Sequence, residues 1–257
     1  MQRVFITGAS SGIGAALARA YASQGAVLGL VARRGDVLEQ LRSSLAHPER
    51  HQIYALDVTD HAALQAAAAQ FITSHGGADV VIANAGISQG TLTDYAEDLP
   101  VFERIIATNV TATVATFQPF LTAMRAQPRP DLCRLVGIGS VAGIRGLPGA
   151  GAYSASKAAV ISYCESLRVE LRKSGIKVVT IAPGYIDTPM TQVNHYRMPF
   201  LLPVEQFAER ALATIKSGHS YSVIPWQMGV VAKLLRLLPN CVYDFAFAKA
   251  QHKKRKL

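Results

Sequence analysis

Cysteine is scarce in this chain. Cys133, Cys164 and Cys241 stand far apart, with neither a C-x-x-C pair nor metal-ligand spacing. That argues against a disulfide framework and suits a reducing compartment, so a cytoplasmic location is expected. Seven histidines are scattered without an H-E-x-x-H pair, and no metal site is readable. No run approaches ~20 uninterrupted apolar residues, which argues against a spanning helix. The apolar stretch behind Met1 is too short for a secretion signal. Acidic residues are also few, 17 against 26 Lys and Arg, for a net charge of +9. Lys249, Lys253, Lys254, Arg255 and Lys256 all lie beyond the last acid, Asp244. Without those five, the other 21 basic residues exceed the 17 acids by four. Much of the basicity is therefore a tail. It lacks the aromatic-lined groove of a nucleic-acid site, and no nucleic acid is expected as partner.

What is present in quantity is apolar sequence in short runs. Half of the 257 residues are hydrophobic, enough for one large core. Apolar runs at Val4 to Thr7, Ala26 to Ala32, Gln52 to Leu56, Asp79 to Ala83, Leu132 to Gly139, Lys177 to Ala182 and Tyr221 to Pro225 alternate with helical segments. This alternation predicts a single α/β domain, doubly wound, with a parallel sheet of about seven strands covered on both faces. The domain is expected over residues 1–225, with a C-terminal helical extension over 226–257. Ligands of such sheets gather beyond the carboxyl ends of the strands.

Chemistry-bearing residues fall at those ends. Gly8-Ala9-Ser10-Ser11-Gly12-Ile13-Gly14 joins the first strand to an alanine-rich helix. A glycine turn there lets backbone approach a ligand, and the helix start presents N–H groups to phosphate. The second strand ends at Ala32-Arg33-Arg34, without a carboxylate that would suit a free ribose 2′-hydroxyl. Guanidinium suits a 2′-phosphate, so NADP(H) is favoured over NAD(H); the alternative is a solvated basic pair. Tyr153 and Lys157 are four apart on a predicted helix and so share a face. An ammonium beside a phenol favours the phenolate, so a Tyr153 pKa lowered towards neutrality is expected, fit for general acid–base catalysis. Ser140, past the fifth strand, is placed to donate to the same substrate oxygen.

Taken in order, Thr7 to Gly14, Asp57, Asn84-Ala85-Gly86, Asn109, Ser140, Tyr153-x-x-x-Lys157 and Pro183-Gly184 with Thr188 resemble a classical short-chain dehydrogenase/reductase over roughly residues 1–225. The resemblance implies that Tyr153 is the acid/base and that Ser140 polarises the carbonyl. Lys157 would hold the nicotinamide ribose, and Asn109 would position a water in a proton relay. The cofactor site implied comprises Thr7, Gly8, Ser10 to Gly14, Arg33, Arg34, Asp57 and Val58. Asn84, Ala85, Gly86, Tyr153, Lys157, Pro183, Gly184, Ile186 and Thr188 complete it. Two departures stand out. Ala83 replaces a second asparagine common in the family, and neutral Ser11 replaces a basic residue found in some NADP-binding relatives. A homo-oligomer, dimer or tetramer, is also implied.

Beyond Thr188, Met190, Val193, Tyr196, Met198, Phe200, Leu201 and Leu202 form a lipophilic loop, with His195 and Arg197 among them. They suit a hydrophobic carbonyl or alcohol substrate, lipid-like, steroid-like or aromatic, or else they only cover the core. Residues 143–150 would form the opposite wall. Trp226 to Leu238 reads as an apolar helix with Lys233 and Arg236 on a narrow polar stripe. It suits either peripheral contact with an anionic membrane or packing over the site or a neighbouring subunit. The expected function is an NADP(H)-dependent carbonyl reductase or alcohol dehydrogenase. The alternative is a non-catalytic NADP(H)-binding sensor or scaffold.

Overall fold

The computed structural model describes residues 1–194, 197–248, 253 and 255. Among these residues, nine strands and eleven α-helical segments follow in chain order. The first half runs β1 (Arg3–Thr7), α1 (Gly12–Ser23), β2 (Val27–Ala32), α2 (Gly35–Ser44), β3 (Gln52–Ala55), α3 (His61–His75) and β4 (Val80–Ala83). A long broken helix supplies α4 (Leu99–Ile106), α5 (Ala112–Phe117) and α6 (Leu121–Arg125), and β5 (Arg134–Ile138) and α7 (Gly151–Glu170) come next. The chain continues with β6 (Lys177–Pro183), β7 (Ile186–Asp187), α8 (Pro189–Gln192), β8 (Leu202–Pro203), α9 (Val204–Ser217), β9 (Tyr221–Ile224), α10 (Trp226–Leu237) and α11 (Asn240–Phe247).

Seven strands form one parallel sheet in the order β3-β2-β1-β4-β5-β6-β9. Strands buried on both faces are apolar along their length: all six residues of β2 are apolar and buried, and so are Leu135 to Ile138 of β5, whose first residue, Arg134, is buried with its guanidinium donating to the carbonyls of Ile215 and Asp131. The two-residue period then sorts side chains between the faces. Val4, Ile6, Leu28, Leu30, Val80 and Ile82 pack beneath α1, α2 and α9. Phe5, Val31, Val81 and Leu135 pack beneath α3, α5 and α7 on the other face. The order reverses between β1 and β4, so a crevice opens at the carboxyl ends of these strands, where a doubly wound sheet takes its ligand.

The seven expected strands and the helix containing Tyr153 all form. Three features lay outside the sequence-based expectations: α8, α9 and the short parallel β7–β8 pair. The signal for α9 was present in Phe207, Ala208, Ala211, Leu212 and Ile215 at helical spacing, with Gly218 (φ +70°) stopping it. Residues 226–248 are not detached from the sheet. A Cβ on Gly229 would lie 3.1 Å from Val223 of β9, and one on Gly184 would lie 2.7 Å from Met228. Two glycines thus let α10 settle directly on the sheet's last strand and on the turn leaving β6.

Candidate active site

The site begins with a lock between β1 and β4. The Thr7 hydroxyl accepts from the backbone N–H groups of Asn84 (3.1 Å) and Ala85 (3.2 Å), while Asn84 Nδ2 donates to the carbonyls of Thr7 and Gly8. These bonds hold the glycine turn and the Asn84-Ala85-Gly86 turn together at the crevice floor. Gly8 (φ +69°) and Gly12 (φ +52°) occupy left-handed backbone conformations that side chains rarely adopt. Gly14 is required by space instead, since a Cβ there would sit 2.2 Å from the Gly8 carbonyl oxygen. Helix α1 therefore starts hard against the turn. Its first turn has no side-chain cap and no acidic residue. Free N–H groups over a glycine cradle are what a pyrophosphate needs, so the residues present fit a dinucleotide.

At the end of β2, Arg34 Nη2 donates to Ser10 Oγ (3.2 Å), and Arg33 Nη1 lies 3.7 Å from Asp57 Oδ2. Asp57 also accepts from the Thr59 backbone N–H and hydroxyl; with Arg33 beside it, these hold its carboxyl below the usual range. Arg33, Arg34, Ser10 and Asp57 thus converge on one edge of the crevice. Val58 has its side chain in the core, so only its backbone can face a ligand. Ile13 likewise packs inward.

Ser140, Tyr153, Lys157 and Asn109 come together across β5, α7 and the broken helix. Between α4 and α5 the backbone passes through a π-helical turn, Ala107–Thr111, with Asn109 buried inside it. Such turns interrupt helices most often at functional positions. Asn109 Oδ1 accepts from Ile87 N (2.8 Å), and Nδ2 donates to Ile87 O (3.0 Å) and Ser156 Oγ (2.9 Å). The amide thereby ties the segment after Gly86 to α7. A Cβ on Gly143 would lie 2.6 Å from the Lys157 carbonyl carbon, so the turn after Ser140 presses on α7 beside the lysine.

One expectation is corrected here. Lys157 Nζ donates to the Ile138 carbonyl (2.8 Å) and lies 5.8 Å from the centre of the Tyr153 ring. Burial pushes the Tyr153 phenol up, and the Ser140 hydroxyl draws it part of the way back. Lysine is not what tunes the phenol in this arrangement. Burial also lowers Lys157 to about 8, with Cys164 opposing. The physical reason is desolvation, which disfavours each charged form more than these neighbours favour it. The phenol is therefore protonated at neutral pH, ready to donate.

The segment after β6 closes over the glycine turn. Gly184 N donates to Ile224 O (2.8 Å), buried Ile186 accepts at its carbonyl from the Thr188 and Thr191 hydroxyls, and Thr188 packs against Gly12. Past it, Met190, Val193, Phe200 and Leu201 are exposed, whereas Leu202 is buried. His195 and Tyr196 lie outside the described residues.

The wall at 143–150 is braced by the C-terminal helices. Arg145 donates to the carbonyls of Leu235, Arg236 and Leu238 and to Asn240 Oδ1, its guanidinium lies 4.1 Å over the Tyr243 ring, and Tyr243 donates to Gly146 O. Two tail residues return to the loop after Gly86. Lys253 donates to Ser88 Oγ (2.8 Å), and Arg255 pairs with Asp98 (2.7 Å) and Glu97 while stacking 3.5 Å over Tyr95. Lys249, Lys254 and Lys256 lie outside the described residues. Sequence reasoning missed this return, because tail and loop are more than 150 positions apart. No group of His, Cys, Asp and Glu among the described residues could hold a metal ion.

The short chain dehydrogenase family profile matches residues 2–197. An uncharacterized oxidoreductase of Myxococcus xanthus is 38% identical over 94% of both chains. Among solved structures, the 3-ketoacyl-(acyl-carrier-protein) reductase of Brucella melitensis complexed with NADH superposes with a TM-score of 0.78 at 24% identity, covering 86% of this chain and 94% of that one. An alcohol dehydrogenase of Thermococcus sibiricus complexed with 5-hydroxy-NADP gives 0.76 at 25% identity, covering 87% and 95%.

Proposed function

Since the chain belongs to the short chain dehydrogenase family and is an oxidoreductase, we propose that it takes a nicotinamide cofactor, NADP(H), and with it interconverts a hydrophobic ketone or aldehyde and its alcohol. The observation that carries this reading is the convergence of Tyr153, Ser140 and Lys157 at the strand ends beside the glycine cradle. The cofactor, when bound, supplies or accepts the hydride. Gly8, Ser10 to Gly14, Asn84 to Gly86 and Thr188 would hold it. Tyr153 donates its proton to the carbonyl oxygen, and Ser140 donates a second hydrogen bond there, together stabilising the developing alkoxide. Lys157 contributes positive charge below its pKa. Asn109 Oδ1, accepting one bond from Ile87, retains an acceptor position that suits a water carrying protons outward.

NADP(H) rather than NAD(H) is supported by Arg33 and Arg34 beside Ser10, with Asp57 partly neutralised by Arg33. The exposed apolar side chains of Met190, Val193, Phe200 and Leu201 support a lipophilic substrate. Exposed Phe102, Val114 and Val169 on α4, α5 and α7 support a homo-oligomer.

Coenzyme oxidation measured with NADPH and NADH against a panel of hydrophobic ketones tests the assignment; no turnover with any would favour the sensor or scaffold reading. Arg34→Ala is expected to raise the NADPH KM by roughly tenfold or more through loss of a charge-assisted phosphate contact, leaving NADH unchanged. Equal effects on both coenzymes would remove the 2′-phosphate role. The pH profile offers a separate check. Lys157 is charged below its pKa and neutral above it, so kcat/KM for the coenzyme should hold to about pH 8 and fall beyond. A flat profile from pH 7 to 10 would take its charge out of the binding step.

A further inference from the structure

Helix α10 buries one side and leaves the other bare. Met228, Gly229 and Ala232 face the sheet. Trp226 (67% exposed), Val230 (48%), Leu234 (59%) and Leu237 (80%) all face out. At roughly 100° per residue these four fall within an arc of about 80°, one continuous stripe along a three-turn helix. Single exposed apolar residues are ordinary, but an aligned row capped by a tryptophan is not. Lys233 and Arg236, both exposed, run along one edge of the row. Residues 226–257 contain one acid, Asp244, against seven Lys and Arg.

We propose that this face of α10 docks on an anionic lipid bilayer, with the four apolar side chains entering the headgroup boundary and Lys233 and Arg236 meeting lipid phosphates. Charge decides between the candidate occupants. A second copy would bring the same basic extension against itself, whereas an anionic surface complements it. The described helices are too short and too polar to span a bilayer, so the contact is one of lying on the surface. Arg145, by holding the carbonyls at the end of α10, fixes this face to the wall beside the substrate crevice.

The chain supplies its own reporter, because Trp226 is its one tryptophan. The full-length protein is titrated with vesicles of pure phosphatidylcholine and with vesicles containing phosphatidylserine, following tryptophan emission and co-flotation. A blue shift and flotation with the anionic vesicles alone are expected. Leu234→Glu should weaken that binding by about tenfold or more, and the Lys233→Glu, Arg236→Glu double variant should abolish the preference for anionic lipid. All three side chains are exposed, and an unchanged thermal unfolding midpoint will show that the variants fold. Absence of a shift, equal binding to both vesicle types, or a blue shift that appears on concentrating the protein without lipid would each overturn the proposal. The last outcome would identify a second copy as the occupant. None of these readouts depends on turnover.

Discussion

Tyr153→Phe is expected to lower kcat for ketone reduction by roughly 10²- to 10⁴-fold, the range that a positioned general acid supplies. The ring would remain, packed on α7 with Lys157 5.8 Å from its centre, so the loss would report the hydroxyl alone. Coenzyme affinity should stay within a few-fold of the parent, because the glycine cradle and the Thr7–Asn84 lock do not involve Tyr153. Single-turnover kinetics and fluorescence titration with NADPH separate the two effects. Near-parental turnover would remove Tyr153 from the proton transfer. A parallel loss of coenzyme binding would mean that the substitution had disturbed the crevice as a whole.

Gly14→Ala is expected to damage both the fold and the coenzyme site. Its methyl group would need to occupy space 2.2 Å from the Gly8 carbonyl oxygen and 2.6 Å from Asn84 Nδ2, and neither is the free end of a flexible side chain. Asn84 Nδ2 is already bonded to Thr7 and Gly8. Relief requires α1 to move outward from the turn, carrying its open N–H groups away from the phosphate position. Overpacking of this kind costs about 1–3 kcal/mol, and at ~2–4 °C per kcal/mol for a chain of this size the unfolding midpoint should drop by several degrees. Affinity for NADPH should fall by more than the loss of stability alone implies. Gly151→Ala is the matching control. A Cβ there meets nothing within 4 Å, and the residue starts a helix, so no loss of stability is expected. If Gly14→Ala melts with the parent and binds coenzyme normally, the close approach of α1 to the turn is not what builds the cradle.

The bracing of the C-terminal segment changes how the tail's charge is understood. Arg255 is engaged with Asp98, whose carboxyl it holds low together with the Leu92 backbone N–H, and Lys253 is engaged with Ser88. The cations available to an outside partner among the described residues of the extension are therefore those of α10, Lys233 and Arg236. This places the proposed lipid contact on the helix.

Local order along the chain determined most of the architecture. Short β-rich runs such as Ala26 to Ala32 and the glycine turn after Thr7 report themselves because strand periodicity and backbone freedom are properties of neighbouring residues. The identities of Ser140, Tyr153 and Lys157 were legible for the same reason: two of them share a helical face. What tertiary structure alone decided is how those groups are charged and what surrounds them. Tyr153 is raised and Lys157 lowered because desolvation depends on atoms from β5, α7 and the turn after Ser140, which a four-residue spacing cannot convey. The hold of Arg145 on α10 and the return of Arg255 to Asp98 belong to the same class. Each joins residues whose separation in sequence carries no periodic signal, and each exists only once the sheet has brought them together.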